Sequence, residues 1–297
     1  MRILLAGASG FLGTALRQRL TDDGHAIRSL VRSDPRRPDD YRWDPYQGSL
    51  PAEALHGVDA VVNLAGAPIA HWPWTTSYRK VLLESRVSTT GTIAGALTGL
   101  GGAPPTLVNA SAIGYYGKDR GDEDLDEKSA PGDGLLADVV AQWEAATRPV
   151  SEAGGRVVLL RSAVVLDERG GALKVMKRPF RLGVGGRLGD GRQWFPTISL
   201  EDWLSAVSRA ITDSEMGGPY NLVAPEPATN ADLTRLLGGL LHRPTVMRVP
   251  AFALKAILGE LSGEVLGSLK VHPTRLSEVG FTFTHPDLES QLGAALR

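Results

Sequence analysis

The sequence predicts an α/β fold, a doubly wound parallel sheet with helices on both faces, and three observations carry that prediction. Residues 1–33 read as strand, glycine turn, helix and strand. Apolar strand-like runs then alternate with helical stretches to about residue 223, the pattern of a parallel sheet. The 297 residues are 42% hydrophobic and 22% charged, an ordinary globular composition sufficient for one large or two modest domains.

In the N-terminal unit, Ile3 to Ala6 form a short apolar run expected to be a buried strand. It stops at Gly7-Ala8-Ser9-Gly10-Phe11-Leu12-Gly13, a G-x-x-G-x-x-G loop. Ala15, Leu16 and Leu20 follow at helical spacing, and the helix is expected to end at Gly24. A second apolar run, Ala26 to Val31, closes on Arg32. This order makes the first βαβ unit of a dinucleotide-binding, Rossmann-type fold. A pyrophosphate lies against a helix N-terminus, where unpaired N–H groups and the positive end of the dipole face it. Gly7 permits the tight turn, Gly10 removes a Cβ that would block the cofactor, and Gly13 lets the helix pack on the strand.

The end of the second strand selects the dinucleotide. An NAD site usually carries Asp or Glu there, gripping the ribose 2′-OH. Here the positions hold Arg32 and Ser33, with Arg36 and Arg37 close behind. A guanidinium suits a 2′-phosphate and stacks on adenine. The competing reading is a solvated basic loop, and Asp34 is a contrary sign; the expected cofactor is NADP(H).

Composition excludes several classes. The formal charge is −1, which leaves no electrostatic footprint for nucleic acid or an anionic membrane. No run of eighteen apolar residues exists, so no membrane partner is expected. The N-terminus enters a strand at Ile3 without a signal-type leader, and the expected location is cytoplasmic. There is no cysteine, which removes disulfides and thiolate chemistry. Histidines 25, 56, 71, 242, 272 and 285 are dispersed, and no metal site is expected.

In chain order, a proline-rich polar loop leads to a short third strand at Tyr41-Arg42-Trp43. Val58 to Leu64 is a strong strand, and the small residues after it, Leu64-Ala65-Gly66, are expected to line the cofactor. An aromatic excursion, Ile69 to Tyr78 with His71, Trp72 and Trp74, precedes a long helix from about Ser77 to Leu100, on which Arg86 is expected at the surface or in an ion pair. Thr106 to Ala112 is a strand, Asp119 to Glu127 a solvated acidic loop, Gly134 to Glu152 a helix and Arg156 to Leu166 a strand. Gly183 to Gly191 is too glycine-rich for a helix and reads as a shaped loop. Ile198 to Ser208 is strand then helix, Tyr220 to Val223 a strand, and Thr229 to Leu241 a helix capped by Asn230. Val249 to Leu269 reads as helix broken at Gly259 and Gly263, and two short helices flank Gly280 to Phe283.

Together these residues resemble the extended branch of the short-chain dehydrogenase/reductase superfamily, the sugar-nucleotide epimerase type. More narrowly, the chain is similar to the NAD-dependent epimerase/dehydratase-like proteins with their own C-terminal domain, a group sometimes mislabelled as cell-division inhibitors. The likeness runs nearly end to end. It rests on Gly7 to Gly13, Asn63-Leu64-Ala65-Gly66, Ser85-Arg86-Val87, Ser111 to Gly117, Trp143-Glu144, Leu160-Arg161-Ser162, Gly191-Arg192-Gln193-Trp194-Phe195 and Val249-Pro250-Ala251-Phe252. It implies an NADP-binding domain over 1–225, with 167–195 contributing to a substrate cleft. It also implies a small, mostly helical C-terminal substrate lobe over 226–297, its family-specific module at about 248–296. The implied activity is oxidoreductase or epimerase chemistry on a carbonyl or sugar-nucleotide-like small molecule; relatives often dimerise through two long helices.

The superfamily's catalysis uses Tyr-x-x-x-Lys plus a Ser, and here the chain departs from it. No Tyr is followed four residues later by Lys. Registering on Trp143-Glu144 puts Leu136 at the Tyr position and Val140 at the Lys position; registering on Tyr116-Gly117 puts Ala112 at the Ser position. Ser199 stands where relatives usually carry His. Tyr115 and Tyr116 are then the candidate acids, with Arg192 and Trp194 shaping the substrate site. The alternative is an NADP(H)-binding sensor or assembly factor without turnover; a weaker one is a structural protein that keeps the fold alone.

Overall fold

A computed structural model describes residues 1–71, 73–259 and 261–297; Trp72 of the aromatic excursion lies outside them. The chain opens with β1 (Arg2–Ala6), α1 (Phe11–Asp22), β2 (Ala26–Val31), β3 (Asp40–Arg42), α2 (Ala52–Leu55), β4 (Ala60–Asn63), α3 (Thr76–Thr98) and β5 (Thr106–Ala112). A 3₁₀ turn at Ile113–Tyr116 leads to β6 (Asp124–Leu125), α4 (Leu135–Ala145), α5 (Arg148–Glu152), β7 (Val157–Ser162), β8 (Val164–Leu166), α6 (Gly171–Arg181) and β9 (Gly186–Leu188). Then follow β10 (Thr197–Ser199), α7 (Leu200–Thr212), β11 (Gly218–Leu222), α8 (Asn230–Leu240), β12 (Met247–Val249), α9 (Ala251–Leu258), α10 (Leu261–Leu266), β13 (Lys270–Val271), α11 (Thr274–Glu278) and α12 (Leu288–Ala295).

Seven parallel strands form the main sheet, in the order β11-β7-β5-β4-β1-β2-β3. The central strands are mainly apolar because both faces are covered, with Asn63, Asn109, Ser111 and Arg161 buried towards their carboxyl ends. Ile3 and Leu5 point into a core with Leu16, Leu20 and Trp203, while Leu4 and Ala6 point into the opposite core with Ile93 and Leu97. The chain first builds outward through β2 and β3, then returns to β4 on the other side of β1. The reversal opens a crevice at the carboxyl ends of β1 and β4, where such sheets bind ligands.

A third core joins β8, α6, α8 and α12 through Leu166, Leu173, Phe180, Leu233, Leu237 and Leu292. Leu276, Phe281 and Phe283 pack instead on the main core. Buried Asp202 fastens this tail, accepting the Thr284 N–H at 2.6 Å and the His285 N–H at 3.0 Å.

Several local expectations are corrected. The helix expected over 134–152 breaks into α4 and α5, where Pro149 suits a first helical turn and not a helix interior. The strand expected over 156–166 changes partners at Ala163: β7 stays in the main sheet, whereas β8 pairs with β10. The glycine-rich 183–191 stretch is not all loop, since β9 pairs with β12, and α6 before it went unnoticed in the sequence. The acidic 119–127 segment is only partly solvated, because β6 pairs with β13 and Glu127 is buried. Helix α8 is capped by Thr229 in a capping box with Asp232, not by Asn230, whose Oδ1 accepts the Leu188 N–H. Gly263 lies within α10 and does not break it.

Candidate functional site

The crevice at the switch point is a cleft of about 890 Å³. Gly7, Ala8, Ser9, Gly10, Arg32, Ser33, Leu64, Ala65 and Gly66 all line it. Gly7 has φ +80°, and a Cβ there would lie 2.7 Å from the Leu64 carbonyl carbon. A Cβ on Gly13 would lie 2.1 Å from the Gly7 oxygen, so the turn and the helix can touch only if residue 13 is glycine. Helix α1 starts at Gly10 with no side-chain cap and no acid in its first turn, which leaves its leading N–H groups and dipole for an anion.

Phe11, Leu12 and Gly13, expected at the cofactor, do not line the cleft. The Phe11 ring packs on Gly170, Leu12 packs on the main core, and Gly13 serves the turn. On the other rim Arg32, Arg36 and Arg37 are exposed along the cleft. Asp34, the contrary sign, pairs with Arg42 at 3.0 Å on the exposed surface. Asp40 accepts the Arg36 and Arg37 N–H groups at 3.2 and 3.1 Å and so holds the basic loop over the cleft.

A second cavity, of about 280 Å³, lies beyond Gly66, walled mainly by apolar side chains. Ala112, Leu136 and Val140, the positions that register with the superfamily's Ser, Tyr and Lys, all line it, together with Leu82, Trp143 and Phe195. Trp194 lines it too, its Nε1 donating to Asp122 at 2.8 Å; Arg192 is exposed and lies outside it. The charged side chains on its wall are Arg86, Lys118 and Glu264.

Arg86 corrects the expectation of a surface or ion-paired residue. It is 7% exposed, donates to the Leu82 and Ala67 carbonyls at 3.0 and 3.1 Å, and stacks over Trp143. Burial lowers its pKa to about 10, so it remains a cation at neutral pH. A Cβ on Gly66 would lie 3.4 Å from its Cζ, so it stands where the cleft and the cavity meet.

The tyrosines are placed elsewhere. Tyr116 is fully buried; its hydroxyl donates to Asn221 Oδ1 at 2.8 Å and accepts from Arg161 at 3.2 Å. Burial pushes its pKa up to about 12. Tyr115 lies under the Arg161 guanidinium, 3.4 Å from its ring centre. Neither lines the cavity. Ser111, beside the Ser position, donates to Glu144 at 2.6 Å.

A buried polar network supports the junction, and sequence reasoning missed it. Asn63 donates to Asn109 at 2.8 Å and to Thr90 at 3.0 Å, and its Oδ1 accepts the Ala65 N–H at 3.1 Å. Trp143 donates to the same Thr90 hydroxyl at 3.0 Å. Asn and Thr amid apolar strand and helix residues were the available signal.

Comparison with known proteins agrees with this architecture. The profile of the NAD dependent epimerase/dehydratase family matches residues 3–223, and a domain of unknown function, DUF1731, matches residues 249–295. An epimerase family protein of Mycobacterium bovis is 40% identical over 294 residues, covering 99% of this chain and 97% of its own. Epimerase family protein SDR39U1 of Bos taurus is 37% identical over 302 residues, covering 100% of this chain and 99% of its own. The crystal structure of human epimerase family protein SDR39U1 (isoform 2) with NADPH matches at a TM-score of 0.91 and 34% identity, over 99% of both chains. The chain belongs to the NAD dependent epimerase/dehydratase family.

Proposed function

We propose that this protein binds NADP(H) and uses it as an oxidoreductase or epimerase on a small carbonyl compound held in the apolar cavity. One observation carries the reading: the glycine-lined cleft with its arginine rim opens beside the cavity, and both meet at Gly66 and Arg86. The residues fit the cofactor. Gly7, Gly10 and the start of α1 would hold the pyrophosphate, Arg32 with Arg36 and Arg37 the 2′-phosphate, and Leu64 to Gly66 the inner half. A relative solved with NADPH supports the choice. Bound there, the nicotinamide supplies hydride chemistry; the protein supplies orientation and exclusion of water.

Carbonyl reduction also needs a proton. Ala112, Leu136 and Val140 supply none. Glu264 lines the cavity, and burial raises its pKa, the setting of a general acid. Residues 226–297, together with 167–195, act as the substrate lobe over a domain formed by residues 1–225.

A second reading is a binding protein without turnover, and it is favoured by the three alkyl side chains at the catalytic positions. NADPH oxidation followed against aldehydes, ketones, oxo acids and nucleotide sugars separates the two. Turnover that is lost in Glu264→Gln, with NADPH affinity retained, supports the enzyme. Tight NADPH binding without turnover on any substrate supports the sensor.

A further inference from the structure

Arg86 is a buried cation that no carboxylate among the described residues pairs with. Its guanidinium has five N–H donors, and two of them are used on the Leu82 and Ala67 carbonyls. Trp143 covers it at 5.1 Å. Removing an uncompensated ion from water costs several kcal/mol. The protein treats its other site-adjacent buried guanidinium differently: Arg161 is matched by both oxygens of Glu144 at 2.8 Å. A structural charge here receives a built partner, whereas the charge facing the cavity keeps donors unspent.

We propose that Arg86 anchors the carboxylate of an otherwise apolar acid, so that the cavity takes a small apolar oxo or hydroxy acid and not a sugar nucleotide. This rests on the hydride-transfer reading above. The planar guanidinium offers the paired donors that a carboxylate accepts. Leu82, Leu136, Val139 and Val140 offer an acyl or aryl tail an apolar surface, and the polar side chains Ser162, Lys118 and Glu264 are few against them. At about 280 Å³ the cavity is at the small end of ligand sites. Glu264 does not cancel the anion site. It lies on α10, with Lys118 as its charged neighbour, and no ion pair joins it to Arg86 among the described residues.

The test uses 4-phenylbutyrate and its neutral isostere 4-phenylbutanamide, titrated into the full chain with NADP⁺ present and also absent, and read by the fluorescence of Trp143 and Trp194 in the cavity wall. The acid is expected to bind at least about tenfold tighter than the amide. Arg86→Met is expected to bring the two to parity without changing NADPH affinity, and Arg86→Lys to retain part of the preference. Equal binding of acid and amide, binding of neither, or a preference that survives in Arg86→Met overturns the proposal. So does a loss of NADPH affinity in Arg86→Met as large as the loss for the acid, which would assign Arg86 to the cofactor. Should Arg86→Met fail to fold, the wild-type comparison and Arg86→Lys decide. Failure of the hydride-transfer reading shows separately, as absent NADPH binding or turnover while the acid preference persists without cofactor.

Discussion

Glu144 and Arg161 meet through two parallel hydrogen bonds, Nε to Oε1 and Nη2 to Oε2, each 2.8 Å long. The side chains are 12% and 4% exposed. Around this pair gather Ser111, the Tyr115 ring and the Tyr116 hydroxyl. The tyrosines beside the expected nicotinamide site are thus part of a structural network behind the cavity wall.

Glu144→Ala leaves the Arg161 guanidinium buried without its partner and is expected to cost about 3–5 kcal/mol in denaturant unfolding. Tyr116→Phe removes one hydroxyl from the network and is expected to cost about 1–3 kcal/mol. NADPH affinity and any turnover should be unchanged in folded Tyr116→Phe, a result that a catalytic Tyr116 would not give.

Glycines separate into those the site needs and those it does not. A Cβ on Gly13 meets the Gly7 oxygen, whereas one on Gly91 or Gly95, both in α3, meets nothing within 4 Å. Gly91→Ala and Gly95→Ala should each raise stability by about 0.5–1 kcal/mol in thermal or denaturant unfolding. Gly13→Ala should lower stability and abolish NADPH binding, measured by calorimetry.

Glu127 gives a pH dependence of known sign. Its carboxylate is buried and accepts the Asn221 N–H at 2.9 Å, yet burial raises its pKa above the ordinary value of 4.5. The folded state therefore holds this proton more tightly than the unfolded chain does. Its contribution is fully present below pH 4.5 and is lost as pH rises through the raised value. The difference in melting temperature between wild type and Glu127→Gln should shift against the wild type across that window; a shift in the opposite sense would contradict this account.

Much of the sheet was legible because central parallel strands are mainly apolar: Ile3 to Ala6 are wholly so, and Val58 to Leu64 are so apart from Asp59 and Asn63. The glycine turn was legible because backbone contact leaves so little choice of residue at Gly7 and Gly13. What stayed hidden depends on tertiary placement. The change of sheet at Ala163 leaves no local trace in an apolar run. Pro149 was a visible break that the length of the helical pattern outweighed. Arg86 in mid-helix reads like any solvated arginine until α4 brings Trp143 over it. Conversely, Tyr115-Tyr116 looked chemical in the sequence, and only the fold reveals Arg161 and Asn221 occupying them. Register set Leu136, Val140 and Ala112 at the superfamily's catalytic positions, and the fold adds that all three share one cavity.

The central claim is that a bare glycine turn and an arginine rim hold a 2′-phosphorylated nicotinamide dinucleotide. Titration calorimetry of the folded protein with NADPH and NADH tests it most directly. The account predicts saturable NADPH binding, tighter than NADH by about tenfold or more, with Arg32→Ala removing most of that preference. Absence of heat from either coenzyme, or equal weakening of both by Arg32→Ala, would contradict it.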